Sequence, residues 1–180
     1  MFDMTLTEEQ EALRKTARDF ARAKIAPVAG HLDEEGEFPT QIFRQAWEIG
    51  LMNCEVPEAY DGLGLSASCN SAVVTKLTSR SLPLAITVMV PNSLGPAELL
   101  IHYGTEAQKD RWLPALARGE EIPCFALTEP GAGSDAGAIN SNGVVFRGDD
   151  GRLMVRLNWN KRYITLAAVA TVLGLAFQLH

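Results

Sequence analysis

The stretch at residues 124–135 constrains the fold most, because a short apolar run there ends abruptly in turn-forming residues. It reads CFALTEPGAGSD. An apolar run closed by a proline and two glycines predicts a buried strand that ends in a loop of exposed backbone amides. Glycine lets a chain approach a ligand closely and adopt positive φ, and successive free N–H groups suit a phosphate or a ring carbonyl. We expect either a binding loop here or a plain turn between strands.

Three common functions of glycine-rich loops fail on spacing. A P-loop needs a lysine directly after a glycine, and the sequence contains no Gly-Lys pair. A dinucleotide-binding loop starting at Gly131 needs a further glycine where Ala136 stands. A nucleophile elbow around Ser134 needs glycine where Ala132 stands. The loop therefore gives no indication of a P-loop enzyme, a Rossmann-type site or a serine hydrolase.

The first 120 residues carry the signals of consecutive helices. Thr7 and Gln10 have capping-box spacing, and the apolar stripe that follows predicts a helix that ends before Pro27. Thr105 repeats the capping-box spacing with Gln108. Further helices are predicted from Pro39 to Gly50, over 68–81 and 83–89, from Pro96 to Gly104, and from Thr105 to Gly119 with a break or bend at Pro114. The prediction is an all-α bundle over residues 1–120.

The pattern then changes to short apolar runs bounded by glycine. Strands are predicted over 143–148, over 152–157 and from Tyr163 onward, with residues 149–151 as a hairpin turn. Helices followed by strands are typical of the α+β class. The prediction is an N-terminal all-α bundle followed by an incomplete antiparallel β domain over residues 121–180.

The last segment allows two interpretations. Residues 163–179 carry no charge and follow two basic residues, which is also the pattern of a membrane tail. As a helix they would span roughly 25 Å, short of the hydrocarbon thickness of about 30 Å. Ile164, Val169 and Val172 favour strand instead. We expect buried strands, bent at Gly174 or at 167–168, with a membrane anchor as the alternative.

Composition excludes several classes of function. The 180 residues are 47% apolar and 21% charged, as in an ordinary globular protein. A net charge of −6 without a basic patch argues against nucleic-acid binding. The chain has three well-separated cysteines, scattered histidines and no H-E-x-x-H motif, so we expect neither a disulfide framework nor a metal site. The N-terminus lacks the pattern of a signal peptide, which favours a cytoplasmic protein.

Three motifs resemble segments of the acyl-CoA dehydrogenase family and occur in the family's order. TEPGAGSD at 128–135 is similar to the family's flavin-binding signature. VPEAYDGLGLS at 56–66, a turn-rich stretch between predicted helices, resembles a loop of its helical domain, with Asp61 where a further glycine is usual. KRYIT at 161–165 resembles the second flavin-contacting segment, in which tryptophan is commoner than Tyr163. The amino-acid sequence around this last segment is most similar to the bacterial long-chain branch of the family.

The resemblance implies FAD-dependent oxidation of a long-chain acyl-CoA to the trans-2-enoyl-CoA in fatty-acid β-oxidation. It also implies an electron-accepting redox partner and a homo-oligomeric full-length enzyme. A base takes the α-proton while the β-hydrogen leaves as hydride, and the protein donates hydrogen bonds to the flavin ring and the thioester carbonyl.

Eight residues match cofactor positions of the family. Phe125, Leu127 and Thr128 resemble residues that border the flavin ring. Gly133 and Ser134 resemble a turn near the flavin pyrophosphate and the CoA chain, with the Ser134 hydroxyl facing substrate. The second wall of the site would consist of Tyr163, Ile164 and Thr165.

The sequence departs from the family pattern at its end. In this family the catalytic base is a glutamate of a C-terminal helical domain, expected beyond residue 180, so we assign no catalytic residue within the chain, and neither Glu129 nor Asp135 is taken as the base. The resemblance therefore implies a fragment that is inactive alone. Two alternatives remain: a non-catalytic protein that binds acyl-CoA or a partner, and a membrane-tail protein that uses residues 163–179.

Overall fold

The computed structural model describes residues 6–52, 54–93 and 95–180. Within these residues, seven α-helices precede five short strands, which confirms the α+β class. The helices are α1 (Glu8–Phe20), α2 (Ala29–Glu35), α3 (Thr40–Glu48), α4 (Ala67–Thr78), α5 (Leu82–Ser93), α6 (Pro96–Tyr103) and α7 (Glu106–Ala117). The strands are β1 (Pro123–Ala126), β2 (Asn142–Arg147), β3 (Leu153–Asn158), β4 (Val172–Leu175) and β5 (Gln178–Leu179).

Both predicted capping boxes form. The Thr7 hydroxyl accepts from the backbone N–H of Gln10, whose side chain accepts from the backbone of Thr7, and Thr105 and Gln108 repeat the arrangement at the start of α7. Each box satisfies two backbone donors that a helix start otherwise leaves free. α1 continues as one π-helical turn, Ala21–Ile25.

Two helical predictions need correction. α2 was not predicted, because it fully buries none of its residues and contains Gly30, so it lacks an apolar stripe. α7 runs through Pro114 without ending there. A proline near the end of a helix removes one backbone donor, and here the last turn still closes through the bond from Arg118 N to Pro114 O.

The main core lies between α1, α3, α4 and α5. Its buried side chains include Ala17, Phe43, Leu51, Val73 and Leu77. A smaller cluster joins Val56 to α6 and α7 through Ala97, Leu113 and Leu116.

The strands form two small sheets. β1 pairs with β4 in parallel, while the second sheet has the order β3-β2-β5. The predicted hairpin is confirmed: β2 and β3 pair antiparallel around a turn in which Gly151 has a φ of 76°. β2 and β5 pair in parallel, as β1 and β4 do, so among the described strands the expected antiparallel pairing is found between β2 and β3 alone. β3 is an edge strand with all six residues exposed.

The last segment forms turns and short strands rather than a helix; the expected bend at 167–168 lies in a turn, and the strands are partly exposed instead of buried as expected. Residues 165–169 are turn, and β4 and β5 follow. Tyr163 and Leu166 have φ values of 59° and 68°, which interrupt an extended strand at that point. By length and composition alone, one apolar stretch, Leu82–Tyr103, would suffice to cross a membrane, and 53% of an 18-residue window within it is buried inside the protein.

Candidate functional site

The candidate site begins where β1 ends. Two hydrogen bonds close a tight turn: Glu129 N donates to Ala132 O at 2.9 Å, and Ala132 N donates to Glu129 O at 3.3 Å. Ala132 is buried beneath the loop, whereas Gly131, Gly133 and Ser134 are exposed. The predicted buried strand followed by an exposed loop is therefore present.

The glycines of the loop are not required by the protein itself. A Cβ built on Gly131 or Gly133 would meet nothing within 4 Å, and neither residue has a positive φ. Positive φ is therefore not the reason for glycine at these two positions. What they do provide is free space beside the loop backbone, which is the other use of glycine at a binding site.

The second predicted segment lies directly beside the first. Arg162 N donates to Thr128 O at 3.0 Å, and the Arg162 guanidinium donates to Pro130 O at 3.1 Å. Lys161 Nζ donates to Leu127 O at 3.0 Å. The structure thus brings together two stretches that are more than thirty residues apart in sequence.

Glu129 and Lys161 form a buried ion pair at this junction. Glu129 Oε1 lies 2.7 Å from Lys161 Nζ, and the side chains retain 5% and 1% of their exposure. The carboxylate also accepts from Ser141 N at 3.0 Å and from Asn140 N at 2.7 Å. These donors, Lys161 first, lower the pKa of Glu129 to about 2.

Tyr163 has an unusual combination of features. The residue is 80% exposed, its φ is 59°, and the Arg162 guanidinium lies 4.8 Å from the ring centroid. A positive φ at a bulky residue costs free energy and persists only where neighbouring structure imposes it. Such residues cluster at functional sites, and Tyr163 belongs to the segment predicted to cover the flavin.

The residues after Tyr163 face the helical part of the chain. Ile164 is half-buried, Thr165 is exposed, and residues 164–169 line one side of a groove of about 500 Å³. The opposite side is formed by Phe38 and by α5 residues, among them Leu82 and Ile86. The groove is therefore bordered by both parts of the fold.

Phe125 and Thr128 sit at the base of the loop. Phe125 pairs with Gly174 across β1 and β4, and a Cβ on Gly174 would meet the Phe125 ring at 2.8 Å. Phe125, Leu127 and Thr128 are each half-buried.

Among the described residues, no group of His, Cys, Asp and Glu side chains could hold a metal ion.

Sequence reasoning missed the ion pair of Glu129 and Lys161. The available signal was that Glu129 is the second residue of one motif and that Lys161, of opposite charge, is the first residue of the other. Taken separately, each charge is predicted to be exposed, because charged side chains are almost never fully buried unless they are paired.

Comparison with known proteins identifies the family. Residues 7–120 match the family model "Acyl-CoA dehydrogenase, N-terminal domain", and residues 124–179 match "Acyl-CoA dehydrogenase, middle domain". The chain therefore belongs to the acyl-CoA dehydrogenase family.

Individual relatives agree with that assignment. An acyl-CoA dehydrogenase of Bacillus subtilis is 35% identical over 169 residues, which cover 94% of this chain and 43% of that protein. The short-chain specific acyl-CoA dehydrogenase of rat mitochondria is 38% identical over 138 residues, which cover 76% of this chain and 33% of that protein. The chain thus spans less than half the length of these relatives.

A solved structure has the same fold. The acyl-CoA dehydrogenase of Bacillus anthracis complexed with FAD superposes with a TM-score of 0.87 and is 30% identical. The match covers 99% of this chain and 30% of that one.

Proposed function

We propose that this chain supplies the helical domain and two flavin-bordering segments of an FAD-dependent acyl-CoA dehydrogenase. The observation that carries the proposal is the hydrogen bond from Arg162 N to Thr128 O at 3.0 Å, since it makes neighbours of two segments that resemble flavin-contacting motifs. The relative of known structure that is complexed with FAD supports the choice of cofactor.

The residues present fit this cofactor. Free space beside Gly131 and Gly133 leaves room for a bulky group against the loop backbone. Tyr163 offers an exposed aromatic ring on the other segment. Thr128 and Thr165 carry hydroxyl groups that can donate to ring heteroatoms.

When bound, FAD would supply the hydride acceptor for the β-hydrogen of an acyl-CoA. Within this chain, Thr128 and Thr165 would donate hydrogen bonds, Tyr163 would cover one edge of the site and exclude water, and the exposed Ser134 hydroxyl would face the CoA side. Phe125, Leu127, Gly133 and Ile164 would shape the rest of the site. The enzyme as a whole would also need an electron-accepting partner and, we propose, assembly into a homo-oligomer.

Glu129 is excluded as the base that removes the α-proton. A general base needs a pKa near the working pH and access to the substrate. The pKa of Glu129 is lowered to about 2 by Lys161 and the neighbouring donors, and its side chain is buried. We propose that the base comes from outside these 180 residues.

The resemblance to the long-chain branch receives no support from the relatives. The rat relative, which is 38% identical to this chain, is named short-chain specific.

Titration of the purified chain with FAD tests the proposal. When the protein binds FAD, we expect a change in the flavin absorption spectrum and quenching of flavin fluorescence. The variants Tyr163→Ala and Thr128→Val should bind FAD more weakly. Tyr103→Ala is the matched control, because Tyr103 is 84% exposed and lies at the end of α6. Absence of FAD binding, or equal losses in the Tyr163 and Tyr103 variants, would contradict it. Tight binding of acyl-CoA by flavin-free protein would favour the non-catalytic alternative.

A further inference from the structure

We propose that Lys161 and Glu129 are positioning residues that lock the two flavin-bordering segments together and thereby set the affinity for the cofactor. The cofactor part of this inference rests on the proposed function. The locking itself concerns only residues of this chain.

The contacts of Lys161 and Glu129 connect four points of the fold. The Lys161 ammonium donates to Glu129 Oε1 at 2.7 Å and to Leu127 O at 3.0 Å. Glu129 in turn accepts from the backbone N–H groups of Asn140 and Ser141, at the start of β2. The two side chains together therefore join the end of β1, the glycine loop, the entry to β2 and the segment that leads to Tyr163.

The burial of this pair distinguishes it from the other ion pairs of the described residues. In each of those pairs at least one side chain retains more than a third of its exposure, as in Lys109–Glu106 with 20% and 77%. Lys161 and Glu129 retain 1% and 5%. Burying two charges costs solvation that attraction only partly repays, so such pairs contribute most where they fix one arrangement among several.

The lock acts on the backbone that carries the binding residues. Lys161 is followed by Arg162, whose backbone N–H and guanidinium bond to Thr128 O and Pro130 O. The next residue, Tyr163, has a φ of 59°, which an unrestrained chain would leave. Releasing Lys161 would therefore loosen the loop and free Tyr163 to return to an extended conformation.

The test compares three variants. They are the single variant Lys161→Met, the uncharged double variant Glu129→Gln with Lys161→Met, and the conservative single variant Lys161→Arg. The double variant avoids an unpaired buried carboxylate, and its glutamine still offers an oxygen to the Asn140 or Ser141 N–H. Lys109→Met is the matched control, because it breaks an exposed Lys–Glu pair in α7. Thermal unfolding identifies variants that remain folded.

Hydrogen–deuterium exchange of FAD-free protein tests the lock directly. We expect faster exchange over residues 127–134 and 160–166 in the double variant, little change in α7, and partial recovery in Lys161→Arg. Unchanged exchange in a folded double variant would overturn the inference, whatever the cofactor result.

FAD titration then tests the consequence. In metal sites, residues that position the direct ligands change the affinity for the metal by roughly 10- to 100-fold. By analogy, we expect FAD affinity to fall by a factor of that order in the double variant but not in Lys109→Met. Equal affinity of wild type and a folded double variant would overturn the inference. If wild type itself binds no FAD, the proposed function fails and the cofactor part of the inference fails with it, while the exchange measurement still decides whether the pair locks the segments.

Discussion

The indole ring of Trp47 lies directly over Gly119: a Cβ on Gly119 would meet the ring atom Cδ2 at 2.4 Å. The indole Nε1 donates to the backbone oxygen of Ala117 at 2.8 Å, which fixes the ring in that position. Gly119 also has a φ of 71°. Close packing and backbone conformation therefore both require glycine where α7 ends and the chain turns toward β1.

Gly119→Ala should destabilise the fold by about 2–5 kcal/mol. A left-handed conformation costs a residue with a Cβ about 1–2 kcal/mol, and overpacking against the indole adds about 1–3 kcal/mol. Gly36→Ala is the matched control, since Gly36 has a φ of 66° but open space around it, so only the conformational cost of about 1–2 kcal/mol applies. Urea denaturation measures both variants, and equal destabilisation would contradict the packing role of Gly119.

Asp61 shows why glycine is usual at its position in the motif. Its φ is 64°, in the left-handed region, and its carboxylate pairs with Arg118. Asp61→Ala and Asp61→Gly both remove the ion pair, but only alanine keeps the conformational strain. We expect Asp61→Ala to be less stable than Asp61→Gly by about 1 kcal/mol, measured by urea denaturation. A more stable alanine variant would show that φ at this position does not limit stability.

Local patterns in the sequence predict the elements whose geometry is local. The capping boxes at Thr7 and Thr105 and the hairpin around Gly151 form as predicted, because each depends on residues a few positions apart. The parallel pairing of β1 with β4 was missed, because partners almost fifty residues apart leave no local signal.

The candidate site shows the same difference between local features, which the sequence predicts, and long-range contacts, which it does not. The motifs located both segments, but their junction depends on Lys161 reaching Leu127 O and Glu129 across 34 and 32 positions. The β-branched residues near Tyr163 favour a strand, yet tertiary hydrogen bonds of Arg162 hold the segment against the loop and a turn forms instead. Tertiary contacts therefore decided the part of the site that propensity could not predict.

Glu129 should make the stability of the fold depend on pH in the acid range. Its pKa is lowered from 4.5 to about 2 in the folded chain, chiefly by Lys161, so the carboxylate stabilises the fold above pH 4.5 and this contribution is lost as the pH falls toward 2. The difference in unfolding free energy between wild type and Glu129→Gln should therefore narrow as the pH falls from about 5 to about 3.

Urea denaturation across this pH range measures the effect. Repeating it in salt on the order of 1 M screens exposed pairs such as Lys15–Asp19 far more than a buried pair, so the narrowing should persist. A difference that is constant with pH would contradict the assignment of a depressed pKa to Glu129.

Gly133 should matter for binding and not for stability. Alanine at this position meets no atom of the protein within 4 Å and needs no positive φ, so Gly133→Ala should leave stability unchanged or raise it by about 0.4–1 kcal/mol through the unfolded state. If the free space beside the loop backbone receives the cofactor, the added methyl group should weaken FAD binding by about tenfold or more, which corresponds to about 1.4 kcal/mol. Gly30→Ala is the control: Gly30 lies in α2, also has open space around it and needs no positive φ, so its substitution should leave FAD affinity unchanged. Thermal unfolding and fluorescence titration measure the two effects, and an unchanged affinity in Gly133→Ala would show that the cofactor does not approach the loop at this residue.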